Sequence, residues 1–204
     1  MLLEFTVIRL NKGRTVEQQH EAQGQGVTLF YNTSQRQRIE VARYLVGRAL
    51  SFIEQPNQTI FELGCGAGEI SGPFSESHKV KGVEIIPAAI TLCKRLYPKM
   101  SVISRPVEEL EPADCSVLVM CEFLEHIHDP LALVEKWLPH AEYAVIGHPL
   151  DEPDPPFERG HCWSYSWDDH KLWLTKGGHK LIFSQIFPVP PCYPTAIYSL
   201  TKRK

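Results

Sequence analysis

The chain alternates between short apolar runs that suit β-strands and longer segments in which apolar positions recur at helical spacing. A lead over residues 1–35, polar and rich in Gln between Val16 and Gln25, comes first. From Ser34, a residue suited to an N-cap, helical spacing continues up to Pro56 and predicts one amphipathic helix. Beyond it, the pattern predicts strands over 59–63, 79–83, 102–103, 116–121, 143–147, 180–187 and 196–201, and helices from about Gly68 onward and over 87–96, 130–138 and 167–175.

This alternation determines the predicted fold class. Strands that alternate with helices pair in parallel, which predicts an α/β protein with a Rossmann-like, doubly wound, mostly parallel sheet of seven strands. The last two strands, 180–187 and 196–201, are expected to form an antiparallel hairpin at the sheet edge. A length of 204 residues suits a single domain with a sizeable core.

Composition and charge remove several classes of protein. The longest apolar run, 117–121, is far shorter than the roughly 18 residues that a membrane span needs, and no signal-peptide pattern follows Met1. We therefore expect a cytoplasmic protein with no membrane partner. The six cysteines form no CxxC pair, which argues against a zinc ribbon or a disulfide framework. A net charge of −3 provides no global attraction for nucleic acid, and the oligomeric state stays open.

The sharpest motif is the run I-F-E-L-G-C-G-A-G-E over residues 60–69, in which a predicted strand enters a glycine-rich turn. A dinucleotide fingerprint would require glycine where Glu69 stands, and Glu62 before the turn would repel a pyrophosphate. The expected ligand is therefore cationic at this point. Glu84 ends the next strand, where a carboxylate can accept hydrogen bonds from ribose hydroxyls. An adenosine that carries an amino acid and a sulfonium, as in S-adenosylmethionine, fits both glutamates.

Five segments occur together in a specific order and spacing. They are E-L-G-C-G-A-G (62–68), G-V-E (82–84), P-V-E-E-L (106–110), C-E-F-L-E-H-I-H-D-P (121–130) and G-H-C-W-S-Y-S (160–166). In this arrangement the chain resembles the class I S-adenosylmethionine-dependent methyltransferases of the small-molecule type, with matches spread over residues 59–187. The resemblance implies a methyltransferase domain over residues 36–204 and S-adenosylmethionine as the cofactor.

The resemblance also implies roles for residues around the glycine-rich turn. Glu62 would face the methionine amino group of the cofactor, and Gly64, Cys65 and Gly66 would line its backbone. Glu84 would hold the ribose. The remaining members of the implied cofactor site are Ile85 beside the adenine, Val107 whose amide would serve a ring nitrogen, and Tyr31, which would touch the cofactor. Cys121 and Glu122 end the fourth predicted strand and are expected near the transferring methyl, because ligands bind outside the carboxyl ends of strands in open α/β sheets.

Two further features follow from the same comparison. The lead over residues 1–35 is expected to fold over the cofactor site, as such leads often do in the family. Pro106 stands where these enzymes usually carry an acidic residue, so a contact to the adenine amino group is either missing or supplied by Glu108.

The arginines of the first helix are interpreted as a solvated face of that helix. They are Arg36, Arg38, Arg43 and Arg48.

The function implied is methyl transfer to an oxygen or nitrogen of a small or medium-sized acceptor, whose identity the sequence leaves open. A weakly acidic nucleophile needs a base, and the candidates are His126 and His161, with His148 behind them. Trp163 and Tyr165 are candidate walls for a planar acceptor.

Two alternatives stay open. Glu122, Glu125, His126 and His161 resemble the metal site of small-RNA 3′-terminal 2′-O-methyltransferases, whose pattern is E-x-x-E-H with a later His, and such a set suits Mg or Mn. That resemblance would make the protein a metal-assisted RNA ribose methyltransferase. The other alternative is a non-catalytic relative that binds the cofactor or a partner protein. The prediction adopted here is that no metal is required.

Overall fold

The computed structural model describes residues 8–9, 33–153, 161–189 and 193–204. Within them lie nine strands and four α-helices. The strands are β1 (Ile8–Arg9), β2 (Thr59–Leu63), β3 (Lys79–Val83), β4 (Ser101–Ile103), β5 (Cys115–Cys121), β6 (Ala141–Leu150), β7 (Trp163–Ser164), β8 (His179–Val189) and β9 (Tyr193–Arg203). The helices are α1 (Thr33–Ser51), α2 (Pro87–Leu96), α3 (Pro130–Trp137) and α4 (Trp167–Lys176).

Seven of these strands form one sheet in the order β4-β3-β2-β5-β6-β9-β8. The five strands from β4 to β6 are parallel, while β9 is antiparallel to β6 and β8 is antiparallel to β9. The predicted fold class, including the antiparallel hairpin at the edge, is confirmed. The short strands β1 and β7 pair separately, and the sequence pattern did not predict them.

Two apolar clusters cover the two faces of the sheet, because successive side chains of a strand point to opposite sides. In β2, Ile60 belongs to the cluster that includes the buried face of α1, and Phe61 belongs to the cluster that includes α3 and α4. In the central strand β5, Val117 and Leu118 divide in the same way, and both are completely buried. The layer order is therefore that of a doubly wound α/β protein.

One predicted element is wrong. The helix expected from about Gly68 is absent, and only a short 3₁₀ helix, Gly72–Glu76, follows the glycine-rich turn. Gly68 has a left-handed φ of 79°, and Pro73 cannot donate a backbone hydrogen bond, so neither residue extends a regular helix.

The sheet fixes where a ligand can bind. Its strand order reverses between β2 and β5, since the chain continues from β2 to β3 on one side and from β5 to β6 on the other. Open α/β sheets bind ligands in the crevice at the carboxyl ends of the strands at such a point. No helix in the described residues is long and apolar enough to cross a membrane, and none of the cysteines within them forms a disulfide.

Candidate functional site

The glycine-rich turn leaves β2 with a left-handed backbone at Gly64 and Gly66, where φ is 67° and 52°. The Cys65 N–H donates to the Val83 carbonyl over 2.9 Å and holds the turn against β3. A Cβ at Gly64 would overlap the ring of Phe123, whereas nothing lies within 4 Å of the position a Cβ would take at Gly66. The turn is therefore packed on one side by the loop after β5 and has open space beside Gly66.

Glu84 follows the last residue of β3 and is bound tightly by backbone. Its Oε2 accepts from the Gly66 N–H over 2.8 Å, and its Oε1 accepts from the N–H groups of Ile85 and Ile86 over 2.8 and 2.9 Å. A carboxylate offers about four acceptor positions, so three bonds fix its orientation and leave room for a ligand hydroxyl. The arrangement joins the glycine-rich turn to the end of the neighbouring strand.

Glu62 lies on β2 just before the turn and is only 2% exposed. Its Oε2 accepts from the Ser71 N–H over 3.2 Å. Burial raises the pKa of Glu62 to about 8, because an ionised carboxylate is poorly solvated there. A buried carboxyl of this kind becomes ionised when a cationic group binds beside it, so Glu62 is suited to a ligand ammonium.

Glu122 follows the last residue of β5, and its carboxylate is held from two sides. Its backbone has a left-handed φ of 52°, and its N–H donates to the Gly147 carbonyl over 2.8 Å. The Tyr198 hydroxyl donates to Oε1 over 2.7 Å, and the Arg38 guanidinium forms an ion pair with Oε2. Glu122 thus joins the end of the central strand to β9 and to α1.

The interpretation of the α1 arginines as a solvated face is wrong for two of the four. Arg38 is 6% exposed and paired with Glu122. Arg43 is half-buried, and its Nε donates to the Glu69 carbonyl over 2.6 Å. Arg36 and Arg48 are exposed, as expected. The amphipathic pattern did not reveal the two inward arginines because their partners lie on other elements, far along the chain.

The predicted bases lie together beside this cleft. Ligand atoms of Glu125, His126 and His161 all lie within 4.8 Å of one another, and the two histidine rings are 4.8 Å apart. A bond of 2.7 Å from the Cys162 N–H to the Glu125 carbonyl brings the two segments together. Glu125 and His161 are each 1% exposed, while His126 is half-buried.

Sequence reasoning missed Glu152. Its carboxylate accepts a hydrogen bond from His161 Nδ1, and both side chains are buried. In the sequence, Glu152 is one of four acidic residues in a proline-rich loop, and nothing there distinguishes it from the others. The contact fixes the orientation of the His161 ring, so that Nδ1 faces Glu152 and Nε2 faces away from it.

Several other predicted positions can be located. Cys65 is buried in the glycine-rich turn and Cys121 is buried at the end of β5. Ile85 is half-buried after Glu84, and Val107 is buried at the start of a 3₁₀ turn. Tyr31 lies outside the described residues, as does most of the lead over 1–35.

Two aromatic residues lie in the core instead of the cleft. Tyr165, expected as a wall, is 1% exposed, packs on Trp173 and donates from its hydroxyl to the Leu124 carbonyl over 2.9 Å. His148 is completely buried and hydrogen-bonded to the Pro149 carbonyl and to His170. Neither side chain can touch an acceptor in this conformation.

Comparison with known proteins agrees with this arrangement. A family model described as a methyltransferase domain matches residues 61–138, which include the glycine-rich turn, Glu84 and the segment after β5. No curated protein matches the chain in sequence.

Solved structures match over most of the chain. Magnesium protoporphyrin IX methyltransferase (ChlM) from Synechocystis PCC 6803, with bound SAH, has a TM-score of 0.69 at 12% identity, covering 91% of this chain and 92% of its own. The chain has the class I methyltransferase fold. The fold class expected from the sequence is thereby confirmed, and the match to a methyltransferase domain over residues 61–138 agrees with the resemblance.

Two more structures with this fold are similar. The 1,6-didemethyltoxoflavin-N1-methyltransferase from Burkholderia thailandensis has a TM-score of 0.68 at 14% identity and covers 100% of this chain and 98% of its own. The N-methyltransferase NodS from Bradyrhizobium japonicum WM9 has a TM-score of 0.68 at 15% identity, covering 86% and 90%. The methyltransferase fold of this chain is thus shared with proteins of similar length and very different sequence.

Proposed function

We propose that the chain binds S-adenosylmethionine and transfers its methyl group to an oxygen or nitrogen of a small or medium-sized acceptor. The observation that carries this proposal is the pair of glutamates on either side of the glycine-rich turn. Glu62 is buried with a pKa raised to about 8 by that burial, which suits an ammonium group. Glu84 is fixed by three N–H donors, which suits a ribose hydroxyl. The open space beside Gly66 lies between them along the chain.

The remaining residues of the cleft serve alignment and proton transfer. When bound, the cofactor would supply a sulfonium-bound methyl group for transfer to an in-line nucleophile, with S-adenosylhomocysteine as the leaving group. Holding two reactants in line is the main contribution a protein makes to such a step. His126 and His161 are the proposed acceptors of the nucleophile's proton, and Glu152 keeps His161 Nδ1 engaged so that Nε2 is the basic atom. Cys121, the last residue of β5, and Glu122, which follows it, are proposed to lie near the transfer point.

A small acceptor is favoured by charge and by the similar structures. With a net charge of −3, only local groups of arginines could attract a nucleic acid. One of these arginines, Arg38, is neutralised by its ion pair with Glu122. The similar structure from Burkholderia thailandensis holds 1,6-didemethyltoxoflavin and S-adenosylhomocysteine, and ChlM is named for a porphyrin. These are properties of those proteins, and they support the same class of acceptor here.

The experiment that tests the proposal has two parts. Calorimetry with S-adenosylmethionine and S-adenosylhomocysteine measures cofactor binding, with Glu84→Ala as the variant that should lose affinity. Methyl-labelled cofactor incubated with fractionated small-molecule extracts and the purified protein, followed by mass spectrometry, identifies the acceptor. Absence of cofactor binding would refute the proposal. Binding without transfer to any fraction would favour the non-catalytic alternative.

A second candidate function is favoured by one specific observation. Glu125, His126 and His161 bring two imidazoles and a carboxylate close enough to share a divalent metal, and Glu152 holds the far nitrogen of His161 as outer-shell carboxylates do in metal sites. This arrangement supports a metal-assisted RNA ribose methyltransferase. The fourth residue of that pattern, Glu122, is instead paired with Arg38 and Tyr198.

The absence of a metal requirement therefore stays a prediction, and it is tested directly. Metal content of the purified protein is measured, and methyl transfer is compared before and after chelation and after addition of Mn. We expect activity to survive the chelator. Activity abolished by chelation and restored by Mn, together with salt-sensitive RNA binding, would establish the second candidate instead.

A further inference from the structure

The backbone at Glu122 is unusual among the described residues. Three non-glycine residues there have a positive φ, namely Asn57, Glu122 and Asp151. Asn and Asp adopt the left-handed region comparatively easily, because their short polar side chains bond locally. Glutamate has no such advantage, so its conformation costs free energy that the surrounding structure must offset. Strain of this kind concentrates at functional positions.

Two residues from distant elements hold that side chain. Arg38 from α1 pairs with one carboxylate oxygen, and Tyr198 from β9 donates to the other. The Arg38 side chain is 7% exposed and that of Glu122 is 26% exposed, so the pair is buried on the arginine side and open on the glutamate side. A buried ion pair contributes little net stability compared with apolar residues of similar size. Net stability therefore does not explain why an ion pair occupies this position.

The position of the pair is fixed relative to the cofactor turn. Phe123, the next residue, packs against Gly64 so closely that no side chain fits there. Arg43, on the same helix as Arg38, bonds to the carbonyl of Glu69 just beyond the turn. Helix α1 is therefore attached to both loops of the crevice between β2 and β5, and Glu122 lies at the end of β5 in that crevice.

We propose that Arg38 and Tyr198 are positioning residues that hold the Glu122 carboxylate at the point of methyl transfer. This inference rests on the proposed function. An unpaired carboxylate beside a sulfonium would bind the cationic cofactor strongly before reaction and so oppose transfer. Pairing with Arg38 reduces that attraction, while the remaining acceptor positions of Glu122 stay available for an O–H or N–H of the acceptor. The pair is neutral overall, so it selects a hydrogen-bond donor and not a charged group.

The test uses three probes that differ at one position. S-adenosylmethionine carries a sulfonium there, S-adenosylhomocysteine is uncharged, and sinefungin carries an ammonium group. Calorimetry on the full chain gives the dissociation constant of each, and the ratio of charged to uncharged probe reports the local charge independently of the acceptor. Arg38→Met removes the cation and Glu122→Gln removes the anion. Arg36→Met, an exposed arginine on the same helix, is the matched control.

The two substitutions should act in opposite directions. Arg38→Met should favour both cationic probes over S-adenosylhomocysteine by about threefold to tenfold, and Glu122→Gln should disfavour them by a similar factor. Tyr198→Phe should shift the ratio less, and Arg36→Met should leave it unchanged. Binding of S-adenosylhomocysteine by each variant shows that it is folded.

Two results would overturn the inference. Ratios that stay at the wild-type value in both Arg38→Met and Glu122→Gln would place the pair away from the transfer point. Equal shifts in the same direction would indicate a general loosening of the cleft. A wild-type protein that binds none of the three probes refutes the proposed function itself, and with it the inference, so the two failures are distinguishable.

Discussion

At the scale of single residues, Glu84 and Glu62 lie beside the same glycine-rich turn and differ in how many hydrogen bonds their carboxylates accept. Glu84 accepts three backbone N–H bonds, and Glu62 accepts one and is almost completely buried. We expect Glu84→Ala to weaken binding of S-adenosylmethionine by about 1 to 3 kcal/mol, because the proposed charge-assisted bonds from Glu84 to the ribose would be lost. Calorimetry measures this change, and Glu54→Ala, an exposed glutamate, is the control. An unchanged affinity would remove Glu84 from the site.

If Glu62 binds the ammonium group as proposed, cofactor binding should depend on pH. Burial raises its pKa to about 8 in the free protein, so at pH 7 most molecules carry the proton there. A bound ammonium favours the ionised carboxylate and lowers that pKa, so binding releases a proton and affinity rises from pH 6 towards pH 8. Calorimetry at pH 7 in buffers of different ionisation enthalpy counts this proton. Glu62→Gln should abolish the release, and a release equal to that of the wild type would assign the proton to another group.

At the scale of elements, the glycine-rich turn contains two left-handed glycines with different surroundings. Alanine at Gly64 adds backbone strain and overlap with the Phe123 ring, whereas alanine at Gly66 adds strain alone. We expect Gly64→Ala to destabilise the fold by about 2 kcal/mol or more and Gly66→Ala by about 1 kcal/mol. Urea denaturation measures both. Gly66→Ala should additionally weaken cofactor binding, because the alanine methyl group enters the open space beside the turn. Equal destabilisation of the fold by the two variants would contradict the predicted difference in stability.

The elements also show what local sequence determines. Strands β2 and β3 were predicted to the residue. β2 is a mostly apolar run, β3 alternates lysine with valine and glycine, and each strand ends before a polar or glycine-rich turn. The helix predicted after Gly68 does not form. The spacing of apolar positions gives no information on a left-handed glycine backbone or on a proline that cannot donate a hydrogen bond. The roles of Arg38 and Glu152 arise from contacts between segments distant in the chain, so periodicity could not reveal them.

At the scale of the whole molecule, the sheet is joined to α4 by a buried chain of polar groups. His148 bonds through Nδ1 to the Pro149 carbonyl and through Nε2 to His170 Nδ1, and His170 Nε2 bonds to the Ser199 hydroxyl, each over 2.8 Å. A carbonyl only accepts, so a neutral His148 carries its proton on Nδ1 and accepts at Nε2 from His170. His170 then accepts from Ser199. With both histidines neutral, each of these three bonds has one donor and one acceptor.

This chain makes the folded state sensitive to acid. Burial lowers the pKa of His148 to about 4 and lowers that of His170 well below its usual value. An unfolded histidine takes up a proton near pH 6.5, so below that pH the unfolded state binds protons that the folded state does not, and stability falls until pH approaches 4. For His148 alone, the loss between pH 7 and pH 5 is about 2 kcal/mol.

Glu62 acts in the opposite direction over this range, because its raised pKa lets the folded state keep a proton that the unfolded state releases. The test therefore compares variants in which Glu62 is unchanged. His148→Gln can still donate to the Pro149 carbonyl and accept from His170, so it should lose about 2 kcal/mol less stability than the wild type between pH 7 and pH 5. Urea denaturation at both pH values measures this difference, with His128→Gln, an exposed histidine, as the control. If wild type and His148→Gln lose the same stability, the acid sensitivity arises from groups other than His148.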